Sequence, residues 1–193
     1  MKNYFKIIAL FLVGSLSLTS CSSSDDSAAS NQFQVDGQSY EVLPSNGLVE
    51  LKMDNVYTEQ GQSFDRSTVS LVGVNGTTVA SVAFDLFYKD GLPVEGTYSI
   101  AETLNDYSPD FYDQLLTDEK LCLGWTSLCA VNQGGGTLLI NANNPIGTVT
   151  VTNNGNNNFT IQYNGNFRKY NSNFEVIGTV PVVINITSDL VSP

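Results

Sequence analysis

The stretch Val69-Ser70-Leu71-Val72-Gly73-Val74-Asn75-Gly76-Thr77-Thr78-Val79-Ala80-Ser81-Val82-Ala83-Phe84-Asp85-Leu86 decides the fold class. Apolar and polar residues alternate on both sides of Asn75-Gly76, which is the period of a half-buried strand. Asn and Gly both tolerate positive φ, as a two-residue type I′ hairpin turn requires. Folding the chain there sets Val74 against Thr77, Gly73 against Thr78, Leu71 against Ala80 and Val69 against Val82. One face then carries Val69, Leu71, Ala80, Val82, Phe84 and Leu86. The other carries Thr68, Ser70, Ser81 and Asp85, with Val72, Val79 and Phe87 among them. Turn chemistry and alternation choose this register independently.

The same period extends in both directions. Phe33 and Val35 precede the turn signal Asp36-Gly37, and Tyr40 and Val42 follow it, a second hairpin. Leu48 to Met53 and Gly96 to Ile100 read as strands. Beyond Thr137, Leu138 and Ile140 form one strand, ended by Asn143-Asn144-Pro145, and Val149 and Val151 form the next. After the Asn-rich turn at 153–158, Phe159, Ile161, Tyr163 and Phe167 line a long strand. Phe174, Val176, Val180, Val182, Ile184 and Ile186 line the last one. Pro181 lacks a ladder donor, so this strand is expected at an edge or with a bulge. Residues 101–136 show no period of two. Ser108-Pro109-Asp110 is a helix-start signal, and Phe111/Leu115 and Tyr112/Leu116 are spaced by four, so one short helix is expected over Pro109–Leu116. The expectation is an all-β domain: an antiparallel β-sandwich, with a β-barrel as the alternative, and one helix in a long excursion.

The N-terminus reads differently. Lys2 and Lys6 precede an apolar run from Ile7 to Leu18, interrupted only by Gly14, Ser15 and Ser17. At about 20 residues a membrane span is longer, and the run fits the apolar part of a signal peptide. Leu18-Thr19-Ser20-Cys21 resembles the lipobox of bacterial lipoproteins. That resemblance implies cleavage before Cys21 and acylation of Cys21, the palmitate-type anchor of the family. Asp25-Asp26 just behind it resembles the surface-export signal of Bacteroidota lipoproteins, and Asp26-Ser27-Ala28 that phylum's O-glycosylation motif, which would place a glycan on Ser27. The chain is thus divided into a signal peptide (1–20), a flexible Ser/Ala/Asp tether (21–31) and a β-domain (32–193). The combination is similar to the small uncharacterised β-sandwich lipoproteins of the Bacteroidota. It implies a lipid-anchored protein of the outer membrane that faces the cell exterior.

Composition narrows the function. Cleavage would remove two of the eight basic residues and none of the 19 acids, leaving a charge of 6 − 19 = −13. Such a chain repels nucleic acid and anionic headgroups, so the membrane is reached only through the lipid anchor. There is no His, which removes Ser-His-Asp catalysis and His-ligated zinc. No metal site, cofactor motif or catalytic motif stands out, and the domain reads as non-enzymatic. With Cys21 spent on lipid, Cys122 and Cys129 are an even pair in an exported protein and read as a disulfide. Trp125, the only Trp, lies between them, with Tyr107, Phe111 and Tyr112 nearby in sequence. These four are either a ligand platform or the packing face of the helix. The acidic run from Glu102 to Glu119 is a candidate for calcium or simply a solvated loop. The leading expectation is a non-catalytic interaction or envelope role. A glycan-binding module with Trp125 in its site is the second, and a carboxylate-based glycoside hydrolase the third.

Overall fold

The computed structural model describes residues 31–42, 48–57, 63–101 and 109–191. The expected signal peptide, Cys21, Ser27, the expected tether to residue 30, Glu102, Asp106, Tyr107 and Ser108 lie outside the described residues. The central hairpin is present as β5 (Ser63–Asn75) and β6 (Thr78–Lys89). Its turn is Gly76-Thr77 and not Asn75-Gly76. Asn75 pairs with Thr78, Leu71 with Val82 and Val69 with Phe84. Gly76 alone takes positive φ there, 57°, as a turn with Gly in its first central position requires. The register therefore differs from the expected one by two residues. Because the side-chain period is also two, both faces survive: Val69, Leu71, Ala80, Val82, Phe84 and Leu86 are all buried.

The remaining elements are β1 (Gln32–Val35), β2 (Gln38–Ser39), β3 (Glu41–Val42), β4 (Leu48–Tyr57), β7 (Gly96–Ala101), α1 (Pro109–Asp118), β8 (Lys120–Gln133), β9 (Thr137–Ile146), β10 (Thr148–Gly155), β11 (Asn158–Tyr170) and β12 (Val176–Val191). They form one 12-stranded sheet. Its pairings run β12–β4–β5–β6–β8. From β8 they pass either through β7 and β10 or through β9 to β11, which pairs with β12 again. The all-β class is as expected, with one short helix among the described residues. Two walls pack around one core, as in a sandwich, while the hydrogen-bonded circuit joins their edges, as in a barrel. All pairings are antiparallel except β12 with β4 and β7 with β8.

The second parallel pair explains the helix. Parallel neighbours need a crossover connection, usually helical, and α1 is that crossover from β7 to β8. It starts on Pro109 and ends where Glu119 takes the left-handed conformation at φ 59°. Phe111 and Leu115 dock on Phe64, Phe87, Leu121 and Leu123 outside the sheet. What was expected to be an excursion through residues 101–136 therefore contains a 14-residue strand in the middle of the sheet. Leu121, Cys122 and Leu123 are all buried, Cys122 in the main core and its neighbours under α1. A strand covered on both faces has no apolar–polar alternation to read.

β12 is an interior strand, yet Pro181 is accommodated. β1 pairs with β12 only from Val182 to Asn185, and the Pro181 carbonyl accepts from Asp36 N at 2.8 Å where β1 ends. The Pro181 nitrogen faces that same side, beyond the last rung of the ladder, so no donor is missed. Val180, Val182, Ile184 and Ile186 are buried as expected. Phe174 and Val176 are not: they are 67% and 54% exposed.

Candidate functional site

The site begins with a distortion in β8. Ala83 pairs with Leu128 and Asp85 with Leu123, so Phe84 alone on β6 faces residues 124–127 on β8. Such extra residues bend a strand and re-aim its side chains. A buried polar network holds the bulge. Asp85 N donates to Ser127 Oγ at 3.0 Å, and Ser127 Oγ donates to the Leu123 carbonyl at 2.8 Å. Thr126 Oγ1 donates to Asp85 Oδ2. Arg66 grips the same carboxylate bidentately, Nε to Oδ1 at 2.9 Å and Nη2 to Oδ2 at 2.5 Å. Its guanidinium carbon lies 5.1 Å from the centre of the Phe87 ring. Gly124 is required by close approach: a Cβ there would lie 2.2 Å from Asn144 Oδ1 and 2.8 Å from the Ala101 carbonyl.

The bulge carries Trp125 to the outer surface, where it is half-buried. Tyr170 meets it edge-on at 5.6 Å and 72°, and Phe174 lies at 5.8 Å and 52°. With Asn141, Asn143 and Asn171 these rings line a cleft of about 230 Å³. Asn143 Nδ2 donates to the Trp125 carbonyl at 3.3 Å, and Asn144 Nδ2 to Tyr170 Oη at 2.9 Å. Asn144 Oδ1 is buried without a hydrogen-bond partner. Phe174 is held by the turn between β11 and β12. Asn171 Oδ1 accepts from the backbone of Asn173 and of Glu175, and Phe174 N donates to the Asn171 carbonyl. That turn fixes Phe174 at φ 62°, an unfavourable conformation for a bulky residue. An exposed aromatic ring kept in a strained backbone is the kind of outlier that marks a binding site.

Comparison with protein-family models, with curated proteins and with solved structures finds no match to this chain.

Of the two readings of Trp125, Tyr107, Phe111 and Tyr112, the packing face of the helix holds for Phe111 and Tyr112. Phe111 is buried against Phe87, ring centres 5.1 Å apart, and Tyr112 packs half-buried beside it. Both serve helix docking, so neither joins Trp125; Tyr107 lies outside the described residues. Trp125 takes its partners from the other end of the chain. Phe174 carried one signal, a large apolar residue inside an Asn/Ser-rich turn.

The expected disulfide is not formed: Cys122 and Cys129 are free and buried. They lie on one strand opposite Leu86 and Val82, partners four residues apart and so separated by about 13 Å at 3.3 Å per residue. Disulfide-linked Cα atoms stay within about 7 Å. Burial pushes each thiol from its ordinary 9.0 up to about 12, and burial raises the Tyr163 hydroxyl as well. The folded state thus keeps protons that the unfolded chain releases. That contribution to stability is complete below pH 9 and is lost as pH rises from 9 to 12. The melting temperature is expected to fall steeply above pH 9, and less so in a Cys122→Ala/Cys129→Ala variant. Ellman's reagent at pH 8 should find no reactive thiol in the native protein and both in guanidinium. An intact mass two hydrogen atoms lighter than the dithiol would restore the disulfide.

The expected calcium and carboxylate alternatives can be placed only among the described residues. Among the described residues no three His, Cys, Asp or Glu side chains come together to hold a metal. Asp85 is engaged by Arg66 and Thr126. The aromatic cleft is lined by no carboxylate. A larger cleft of about 580 Å³, lined by Val35, Tyr40, Val131, Ile140 and Lys169 among others, has Asp36 as its one carboxylate. Glycoside hydrolysis needs a facing pair.

Proposed function

We propose that this protein is a lipoprotein, anchored in the outer membrane by acylated Cys21, whose β-domain binds carbohydrate at the outer surface of the cell. The observation that carries the reading is the cleft of Trp125, Tyr170 and Phe174 beside Asn141, Asn143 and Asn171. Aromatic rings offer flat apolar surface to the C–H faces of a sugar, and amides both donate to and accept from its hydroxyls. This specifies the broader interaction role and favours it over hydrolysis.

The position of the cleft agrees with display on a membrane. The domain begins at Asn31, whose Oδ1 accepts from Thr187 N. The cleft lies by Tyr170 and Phe174, just before β12 starts at Val176. The 11 residues between Val176 and Thr187 span about 36 Å of strand. A tether entering at Asn31 would join the domain toward the end opposite the aromatic cleft.

Two experiments test the two halves. The full chain, purified in a detergent without sugar headgroups, is expected to bind a restricted set of neutral glycans on an array; no binding across the array refutes the carbohydrate reading. Cys21→Ala is expected to abolish fatty-acid labelling and leave the precursor uncut, and persistent labelling refutes the anchor.

A further inference from the structure

On the outer face of β7, β10, β11, β12 and β1, three adjacent rows are built almost wholly from uncharged polar side chains. Register alignment places Thr97, Thr150, Gln162, Asn185 and Gln32 in one row across five strands. Neighbouring strands are about 4.8 Å apart, so the row is about 19 Å long. Its members bond to one another: Thr97 and Thr150 Oγ1 atoms are 3.3 Å apart, and Gln162 Nε2 donates to Asn185 Oδ1 at 3.4 Å. In the adjacent rows Thr160 pairs with Thr187, and Thr148 follows Ser99. An open concavity of about 360 Å³ lies over Thr148, Thr150, Gln162, Asn164 and Asn185.

The chain carries 19 acidic and 8 basic residues, yet these rows hold none of them. Val183 is the one apolar side chain in these rows; farther along, Pro181 and Ile146 flank Asn166. A protein interface would want an apolar centre, and an anionic polymer or membrane surface would want Lys and Arg. Hydroxyls and amides at strand spacing suit a ligand that is itself a regular array of uncharged hydroxyls. The face is also continuous with the aromatic cleft. Gln162, Asn164, Asn166 and Arg168, the one charged side chain on this line, alternate along the outside of β11 and lead to Tyr170, a path of about 26 Å at 3.3 Å per residue.

We infer that the protein binds the interior of an extended, uncharged polysaccharide, laid along β11 from the Thr150–Gln162–Asn185 row to the Trp125–Tyr170 cleft. The inference rests on the carbohydrate reading and adds its ligand class: a neutral chain several sugars long, not a chain end or a charged glycan. The test titrates the full chain in sugar-free detergent with linear neutral glucans graded from disaccharide to polymer, and with the carboxymethylated polymer. Affinity is expected to rise with length until the track is filled and to fall for the carboxymethylated chain. Thr150→Glu, and separately Gln162→Ala/Asn185→Ala, should weaken the longest glucan about tenfold, or 1.4 kcal/mol, and leave the disaccharide unaffected. These positions lie on the outer face of the sheet, and circular dichroism checks that the variants fold. Affinity independent of length, or face variants that bind the polymer like the wild type, would overturn the track while leaving the cleft as the site. No binding of any glucan would overturn the track and count against the carbohydrate reading too.

Discussion

Asp85→Ala is expected to destabilise the domain by about 3–5 kcal/mol, because it removes the buried carboxylate that Arg66 grips bidentately and leaves that charge poorly compensated. Arg66 and Asp85 are 15% and 2% exposed, so water replaces little of the lost interaction. Thr126 loses its acceptor in the same change. For a domain of this size the melting temperature should fall by roughly 10 °C. The effect reaches the surface, since Asp85 and Ser127 together hold the bulge that aims Trp125. Emission of the single Trp should shift to longer wavelength in the variant as the indole becomes wetter. A double-mutant cycle with Arg66→Met separates the ion pair from the bulge. Removing both charges should recover much of the stability, whereas Trp125 emission should stay shifted because Thr126 remains unanchored. A loss below about 1 kcal/mol would place the pair among exposed surface bridges and remove it as the support of the site.

Trp125→Ala is expected to weaken carbohydrate binding by about 30-fold or more without unfolding the protein. Central aromatic anchors typically carry about 2 kcal/mol or more of a binding free energy, which is roughly 30-fold in affinity. Trp125 is half-buried and sits on a bulge held by its neighbours' side chains, so its removal opens a surface notch and no core cavity. Phe174→Ala should weaken binding by a smaller factor while relieving little of the strain at φ 62°. Phe174→Gly would relieve it and give the same loss of affinity, which isolates the ring as the cause. Calorimetric titration of the three variants against one array-positive glycan checks this order. Equal affinity of Trp125→Ala and wild type would remove the cleft as the site.

The fold was legible where one sheet face meets the core and the other meets water. The β5–β6 faces follow from alternation alone, even though the turn was placed one residue early: Asn75-Gly76 is the stronger turn pair, but Asn75 instead pairs with Thr78. The helix was legible from Pro109 and its spaced apolar pairs. β8 was hidden because α1 covers its first half and the bulge breaks the period in its second. The pairing of Cys122 with Cys129 rested on count and compartment, which say nothing about two thiols along one extended strand. Trp125 could be singled out, but Tyr170 and Phe174 are brought to it by pairing of β9 with both β8 and β11, contacts with no local trace.

Trp125 emission during titration of the full chain with an array-positive neutral oligosaccharide tests the account most directly. A saturable change in intensity with a shift to shorter wavelength, absent when a charged glycan is added, is the predicted result. Binding detected by calorimetry with no change at Trp125 would contradict it.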